Sequence, residues 1–386
     1  MNATRQTEHR ICTRCVMDTT DPEIKFDENG ICNHCKRYDE LVRIKLVTGE
    51  EREKRLKEIV GKIKRKGKNK KYDCILGVSG GVDSSYVAYI IKKMGLRPLA
   101  VHLDNGWDAE LAVGNIEKIL KNLDIDLYTH VVDWEEFKAL QLAYFKASVV
   151  DIEVVTDHAI TAAIYDIADK NRIKYFLSGS NIVTEAIMPN SWCYNKNDLR
   201  NLEDIHKRYG TAKLKTYPTM GLFKWLFYGF LKGIQTIPIL NYVDYNKKDA
   251  KELLISELGW VDYGGKHYES LFTKFYQAYI LPTKFNIDKR KAHLSTLICS
   301  GQITREEALK ELEKSLYGED ELERDKNYVL KKLGLAEKEF EDLMNLPIKK
   351  HQDYKTDEWI FLPLKRLKGL YTDLSSKGRK MKYNDD

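Results

Sequence analysis

No stretch of this 386-residue chain is long and apolar enough to be expected to cross a bilayer. The most membrane-like part, Met220 to Leu240, is interrupted by Lys224, Gly229, Lys232, Gly233, Gln235 and Pro238. It is expected to form a buried or partner-facing aromatic helix, with no transmembrane span. The first ten residues are polar, so no secretory signal is read there and a cytoplasmic location is expected. A large excess of one charge is missing as well. The formal net charge of +6 tolerates an anionic substrate but gives no reason to expect a nucleic-acid partner. No internal repeat is visible. What remains, 43% apolar and 32% charged residues over this length, suits a globular protein of two or three domains.

The most informative segment is Ser79-Gly80-Gly81-Val82-Asp83-Ser84-Ser85. It follows the apolar run Cys74–Val78 and precedes the periodic segment Tyr86–Ile91, giving strand, glycine turn and helix in that order. Consecutive glycines let several backbone N–H groups face one point, and the helix start adds its unpaired N–H groups and positive dipole end. Ser79, Ser84 and Ser85 can donate hydroxyls, and Asp83 can hold Mg²⁺ against a bound anion. No Gly-Lys-Ser/Thr closes this turn, so it is not a Walker loop.

Seven cysteines are present, and four of them form Cys12-x2-Cys15 and Cys32-x2-Cys35 with sixteen residues between the pairs. That spacing predicts a tetrahedral, closed, structural Zn²⁺ site. His34 is expected to be a neighbour and not a ligand. Cys74, Cys193 and Cys299 are isolated in the sequence.

From Tyr72 onward strand and helix patterns alternate. Strands are expected at 73–78, 98–103, 127–132 and 174–177, and helices at 84–94, 109–122, 134–147 and 157–171, with Thr156-Asp157 capping the last. The alternation predicts an α/β fold with a doubly wound parallel sheet whose ligands sit at the carboxyl ends of the strands. The organisation expected is a zinc knuckle over 1–45 and a charged helical linker over 46–72. A nucleotide-binding core over 73–245 and a mostly helical region over 246–386 follow, with a frayed tail from about Ser375.

Other segments border the expected site. His102, Asp104, Asn105 and Gly106 end the second strand, and Gly179, Asn181 and Glu185 follow the fourth. The cations Lys284, Lys289 and Arg290 could reach back to phosphates and stabilise charge on a leaving group. Asp157, His158, Trp192 and His206 are candidates for a sugar-binding wall.

The Ser-Gly-Gly-x-Asp-Ser spelling resembles the PP-loop pyrophosphatases, which cleave ATP between the α and β phosphates. The resemblance implies that His102–Gly106 lines the adenosine side, that Glu185 shares magnesium with Asp83, and that Lys248 stands where the superfamily has a lysine. Over most of the chain, about Ile11 to about Leu346, the order of motifs is more specific. The paired CxxC knuckles, SGGVDSSY, HLDNGWD, GSNIVTEA, the segment Met188 to Trp192, Ile205 to Gly210 and KFNIDKRKAHLSTLICSGQITREEAL look like the N-acetyl sugar amidotransferases of bacterial surface-polysaccharide and nonulosonate synthesis. That family implies ATP, Mg²⁺ and structural Zn²⁺. It also implies a nucleotide-linked N-acetyl sugar whose acetamido group becomes an acetamidino group. Position 2 is Asn and no Gly-x-Cys-x-Gly elbow is present, so the chain shows no glutaminase of its own. The resemblance therefore implies glutaminase and cyclase-like partner subunits. Two rivals are a PP-loop tRNA sulfurtransferase, for which lone Cys193 and Cys299 argue poorly, and a non-catalytic zinc-ribbon scaffold that binds nucleotide.

Overall fold

A computed structural model describes residues 9–264 and 268–360. The tail from Ser375 lies outside these residues. Five parallel strands form one sheet: β1 (Cys74–Gly77), β2 (Pro98–Asp104), β3 (Asp126–Val131), β4 (Tyr175–Ser178) and β5 (Gln235–Pro238), in the order β3-β2-β1-β4-β5. The chain starts in the middle, winds outward through β2 and β3, then returns to lay β4 and β5 on the other side. This is the doubly wound α/β sheet expected, and its strand order reverses between β1 and β4.

Alternation along the strands builds two cores. Ile75, Leu99, Val101 and Leu103 face one layer with Phe137, Leu140, Ala159 and Ala163. Cys74, Leu76 and Ala100 face the other, with Val87, Ile91, Ile116 and Leu254. The helix Val154–Lys170 presents Ala159, Ala162 and Ala163 to the sheet, and small side chains let it lie close beneath β1. Its start differs from expectation. The helix begins at Val154, so Thr156 and Asp157 lie inside its first turn and do not cap it.

Met220–Leu240 is also corrected. It is not one buried helix but a short helix Leu222–Leu226, a π-helical turn Phe227–Leu231 and the edge strand β5. Phe223 and Phe230 are 87% and 78% exposed. Gly233, at positive φ just past the π-helical turn, lets the chain leave it and pair with β4. No helix among the described residues is long and apolar enough to cross a membrane.

The front of the chain is a compact knuckle. Antiparallel bridges Ile11–Asp18 and Phe26–Cys32 hold it, and Gly30 turns at φ +77°. The C-terminal region is helical, from Leu271 to Met344. Its helix Arg290–Cys299 packs on both the knuckle helix Asn33–Lys45 and the short helix Ile182–Glu185. Arg305 donates to the carbonyls of Cys12 and Cys15, fastening the knuckle to this region.

Candidate functional site

A cleft of about 850 Å³ opens at the carboxyl ends of β1, β2 and β4, where the sheet order reverses. The glycine turn forms one wall. Gly80 sits at φ +81°, and a Cβ there would lie 2.5 Å from the carbonyl oxygen of Ala112. Only glycine fits. Trp260 Nε1 donates to Gly80 O at 2.8 Å, and Gly81 N donates to Ser79 Oγ at 3.3 Å. The helix Val82–Lys93 begins at once, with Asp83 in its first turn. Gly81, Val82, Asp83, Ser84 and Ser79 line the cleft, whereas Ser85 is buried beneath the turn.

Glu185 lines the same cleft from the end of the helix Ile182–Glu185. Asn181 caps that helix, accepting from Thr184 N at 2.8 Å, and so aims Glu185 without reaching the cleft itself. Gly179 lies against the backbone of Asp83, 3.3 Å from where a side chain would begin. The Tyr245 hydroxyl hydrogen-bonds Asp83 Oδ1. Burial pushes the Tyr245 phenol far up, and the charges of Asp83 and Glu185 add to that, so it stays a proton donor. One phenol thus feels both carboxylates, which face a shared space.

His102, which the resemblance places on the adenosine side, lines the cleft. Its Nδ1 lies 3.0 Å from Val78 O and its Nε2 2.9 Å from Asp108 Oδ2, two acceptors that a protonated ring satisfies together. Burial opposes that charge, but the hydrogen bond and charge of Asp108 outweigh it and raise the pKa. Asn105 also lines the cleft, whereas Asp104 and Gly106 are turned into the loop, Gly106 N donating to Asp104 Oδ1 at 2.8 Å.

Several expected residues lie elsewhere. Lys284 is half-buried among Phe145, Ile280 and Phe285, donates to Leu343 O, and has its pKa pulled down to about 8 by burial. Arg290 is spent on Asp288 and on the carbonyls of Glu311, Leu312 and Lys314. Neither lines the cleft, since these contacts hold both side chains elsewhere. Lys289 does line it. Lys248 is exposed one position too far round its helix, and Lys247 lines the cleft in its place. Of the sugar-wall candidates only Asp157 lines the cleft. Trp192 is 1% exposed and packs in the core. His158 is fully buried, donating from Nδ1 to Lys196 O and accepting from Met220 N, and burial lowers its pKa to about 4. His206 Nε2 meets Ala212 O at 2.7 Å, closing the end of its own helix.

In the wall around Asp157 and Lys289, the two expected residues that do line the cleft here, stands a set of side chains that the sequence did not single out. Lys196 Nζ donates to both oxygens of buried Asp151 at 2.8 and 2.7 Å and lies 3.1 Å from Asp157 Oδ2. Glu153 accepts from Gln277 Nε2 at 3.1 Å and stands 4.0 Å from Lys289 Nζ. Burial works against ionised Asp151, but Lys196 and Lys289 hold its pKa down. Asp157 is open to the cleft yet deep in the molecule. Burial raises its pKa, with Lys196 opposing and Glu153 and Asp151 reinforcing. Cys193 lines this wall too, but burial and Asp151 push its thiol up to about 11, so it stays protonated near neutrality. No motif spacing links residues 151–157, 193–196 and 277–289; only the tertiary fold joins them.

Away from the cleft, Cys12, Cys15, Cys32 and Cys35 are fully buried with their sulfurs all within 4.8 Å. Separations of 3.9 Å for Cys12–Cys35 and 3.7 Å for both Cys15–Cys32 and Cys32–Cys35 match the ~3.8 Å edge of a tetrahedron with Zn–S bonds of about 2.3 Å. The donor set fits zinc. His34 is not among it, since its Nε2 pairs with Asp21 at 2.6 Å. Cys299, isolated in the sequence, is not isolated in space: its sulfur lies 3.7 Å from that of Cys35.

Residues 269–368 match the family described as LPS biosynthesis protein WbpG-like, C-terminal domain. No curated protein is a significant match. Among solved structures, the chain is similar to an NMN synthetase from Francisella tularensis at 13% identity, over 58% of this chain and 92% of that one, with a TM-score of 0.29. An NH3-dependent NAD synthetase from Campylobacter jejuni, in complex with the nitrate ion, matches at 15% identity over 56% and 90%, with a TM-score of 0.28. A predicted tRNA methyltransferase subunit from Methanocaldococcus jannaschii matches at 14% over 47% and 75%, with a TM-score of 0.26. What the cleft does follows from its own residues, not from these distant likenesses.

Proposed function

We propose that this chain is an ATP-dependent amidotransferase acting on a nucleotide-linked N-acetyl sugar, a reading supported by its glycine-turn sheet and by the match of residues 269–368 to the WbpG-like C-terminal domain of LPS biosynthesis. One observation carries the reading. Asp83 and Glu185, far apart in sequence, line one cleft with the glycine turn, facing a second polar wall with room for another substrate.

ATP places its phosphates on Ser79–Ser84 and the first turn of the helix Val82–Lys93, where N–H groups and the helix dipole favour negative charge. Asp83 and Glu185 are the residues that would hold Mg²⁺, which would neutralise charge on the phosphates. Tyr245 fixes the orientation of Asp83. The acetamido oxygen attacks the α phosphorus, the α–β bridging bond breaks and pyrophosphate leaves. Lys289 lines the cleft and supplies positive charge there. The amide carbon now bears a good leaving group. Ammonia forms the C–N bond, its surplus proton passes to Asp157, and the C–O bond to AMP breaks to leave an acetamidino group. Lys196, held by Asp151, positions Asp157, and the upward shift of its pKa favours proton acceptance there. No covalent enzyme intermediate is needed, consistent with a Cys193 thiol held protonated. That last point also counts against sulfur transfer from this wall. Ammonia comes from partner glutaminase and cyclase-like subunits.

The test supplies ATP, Mg²⁺, isotope-labelled ammonium and a panel of UDP-N-acetylhexosamines. Label is expected in the sugar's amidine nitrogen for an accepted sugar. ATP cleavage stimulated by a sugar while its acetamido group stays unchanged would reject the reading.

A further inference from the structure

The metal-binding knuckle holds more sulfur than a tetrahedral ion needs. Its four cysteines are fully buried, and three backbone N–H groups point at their sulfurs: Cys15 N to Cys12 Sγ at 3.5 Å, Cys32 N to Cys12 Sγ at 3.2 Å and Met17 N to Cys15 Sγ at 3.4 Å. Such donors stabilise thiolates and blunt their reactivity. Cys35 has a different neighbour. Its sulfur lies 3.7 Å from that of Cys299, the last residue of the helix Arg290–Cys299. Cys299 is only partly buried, whereas the other four cysteines are fully buried, so of the five it is the residue nearest to solvent. The two residues come from opposite ends of the chain, Cys35 on the knuckle helix Asn33–Lys45 and Cys299 in the region matching the WbpG-like domain.

We propose that Cys299 is a modification site: a fifth thiol outside the metal's coordination shell, through which a hydroperoxide oxidises the centre and displaces zinc. In the first step the Cys299 thiol takes an oxygen atom from hydrogen peroxide, giving a sulfenic acid and water. In the second the Cys35 thiolate attacks that sulfur, hydroxide leaves, and a Cys35–Cys299 disulfide forms. Both sulfurs are oxidised by one peroxide, which is reduced to water and hydroxide. Cys35 can no longer serve as a thiolate ligand, and a three-sulfur site binds zinc less tightly. To form the disulfide the contact must close from 3.7 Å to about 2.05 Å.

The consequence extends past the knuckle. The helix that ends at Cys299 begins beside Lys289 and carries His293, and both line the cleft. Its Ser295 hydroxyl accepts from Val16 N at 3.2 Å, and its Lys291 pairs with Asp18. Oxidation at the metal centre therefore pulls on an element that also shapes the cleft wall.

The zinc-loaded full chain is treated with hydrogen peroxide, and zinc release is followed with a chromophoric chelator. Peptide mass spectrometry identifies the disulfide. The expected product is the Cys35–Cys299 crosslink, reversed by a dithiol. Cys299→Ser is expected to release zinc at least about tenfold more slowly, since the remaining thiolates are buried and metal-bound. Equal release rates, or a disulfide confined to Cys12, Cys15, Cys32 and Cys35, would overturn the proposal. Zinc content is measured first on Cys299→Ser and Cys299→Ala. Both should hold as much metal as the native chain, and loss in both would make Cys299 a ligand and contradict its place outside the shell. None of these readouts involves the sugar, so the result is independent of the catalytic reading.

Discussion

Gly80 carries the tightest local requirement in the cleft. Its φ of +81° and the 2.5 Å approach to Ala112 O leave no room for a methyl group. Gly80→Ala is expected to cost about 1–3 kcal/mol from backbone strain alone and to weaken ATP binding more than sugar binding. Calorimetric titration of ATP against the variant checks this. Trp192 makes the opposite case. As a fully buried ring, Trp192→Ala is expected to lose about 3–5 kcal/mol of stability, with its unfolding midpoint falling before any selective change in sugar affinity is seen. His158 gives a pH signature. Its folded pKa of about 4 lies below the ordinary 6.5, so between these values the unfolded chain binds more protons and stability rises with pH. The native protein should therefore lose up to roughly 3 kcal/mol as pH falls through that window, a loss that is flatter in His158→Gln. Denaturant midpoints measured across the window decide it. These residues also mark what was readable. The glycine turn, Asp83 and the paired CxxC knuckles are local patterns whose chemistry is fixed by adjacent residues. Lys196, Glu153 and the Cys35–Cys299 contact arise from packing between distant segments, which leaves no spacing to read. Lys284 and Arg290 misled because charge alone does not say which partners a side chain meets: here Leu343 O for one and Asp288 for the other.

At the scale of elements, four of the five strands were legible from apolar runs between helix patterns. The missed one, β5, is a four-residue edge strand following an aromatic helical turn, and its pairing with β4 is not visible in hydrophobic periodicity. The knuckle is expected to depend on a zinc ion held by its four cysteines as well as on its packing against the core. Among the described residues before Asn33 it is held by short bridges and turns. Removing zinc with a chelator, or making Cys32→Ser, should lower the thermal midpoint and loosen the Arg305 contacts to Cys12 and Cys15, so that hydrogen exchange rises there and at the start of the helix Arg305–Glu313. Unchanged exchange in the metal-free protein would deny the structural role.

The whole molecule is organised around the helix Arg290–Cys299, which belongs to the WbpG-like part and touches knuckle and cleft alike. One helix thus joins the sheet's cleft, the cysteine knuckle and the helical region; on the proposed function the sheet presents the phosphates and the C-terminal region completes the wall for the second substrate. The central claim is that this cleft breaks ATP between the α and β phosphates to activate an acetamido oxygen. The direct measurement is the identity of the nucleotide product formed with Mg²⁺, ammonium and an accepted UDP-N-acetylhexosamine, in native protein and in a folded Asp83→Asn variant. AMP and pyrophosphate from the native chain, in amounts equal to the amidine formed, and none from the variant, are the results expected. ADP and phosphate, or undiminished turnover in Asp83→Asn, would contradict it.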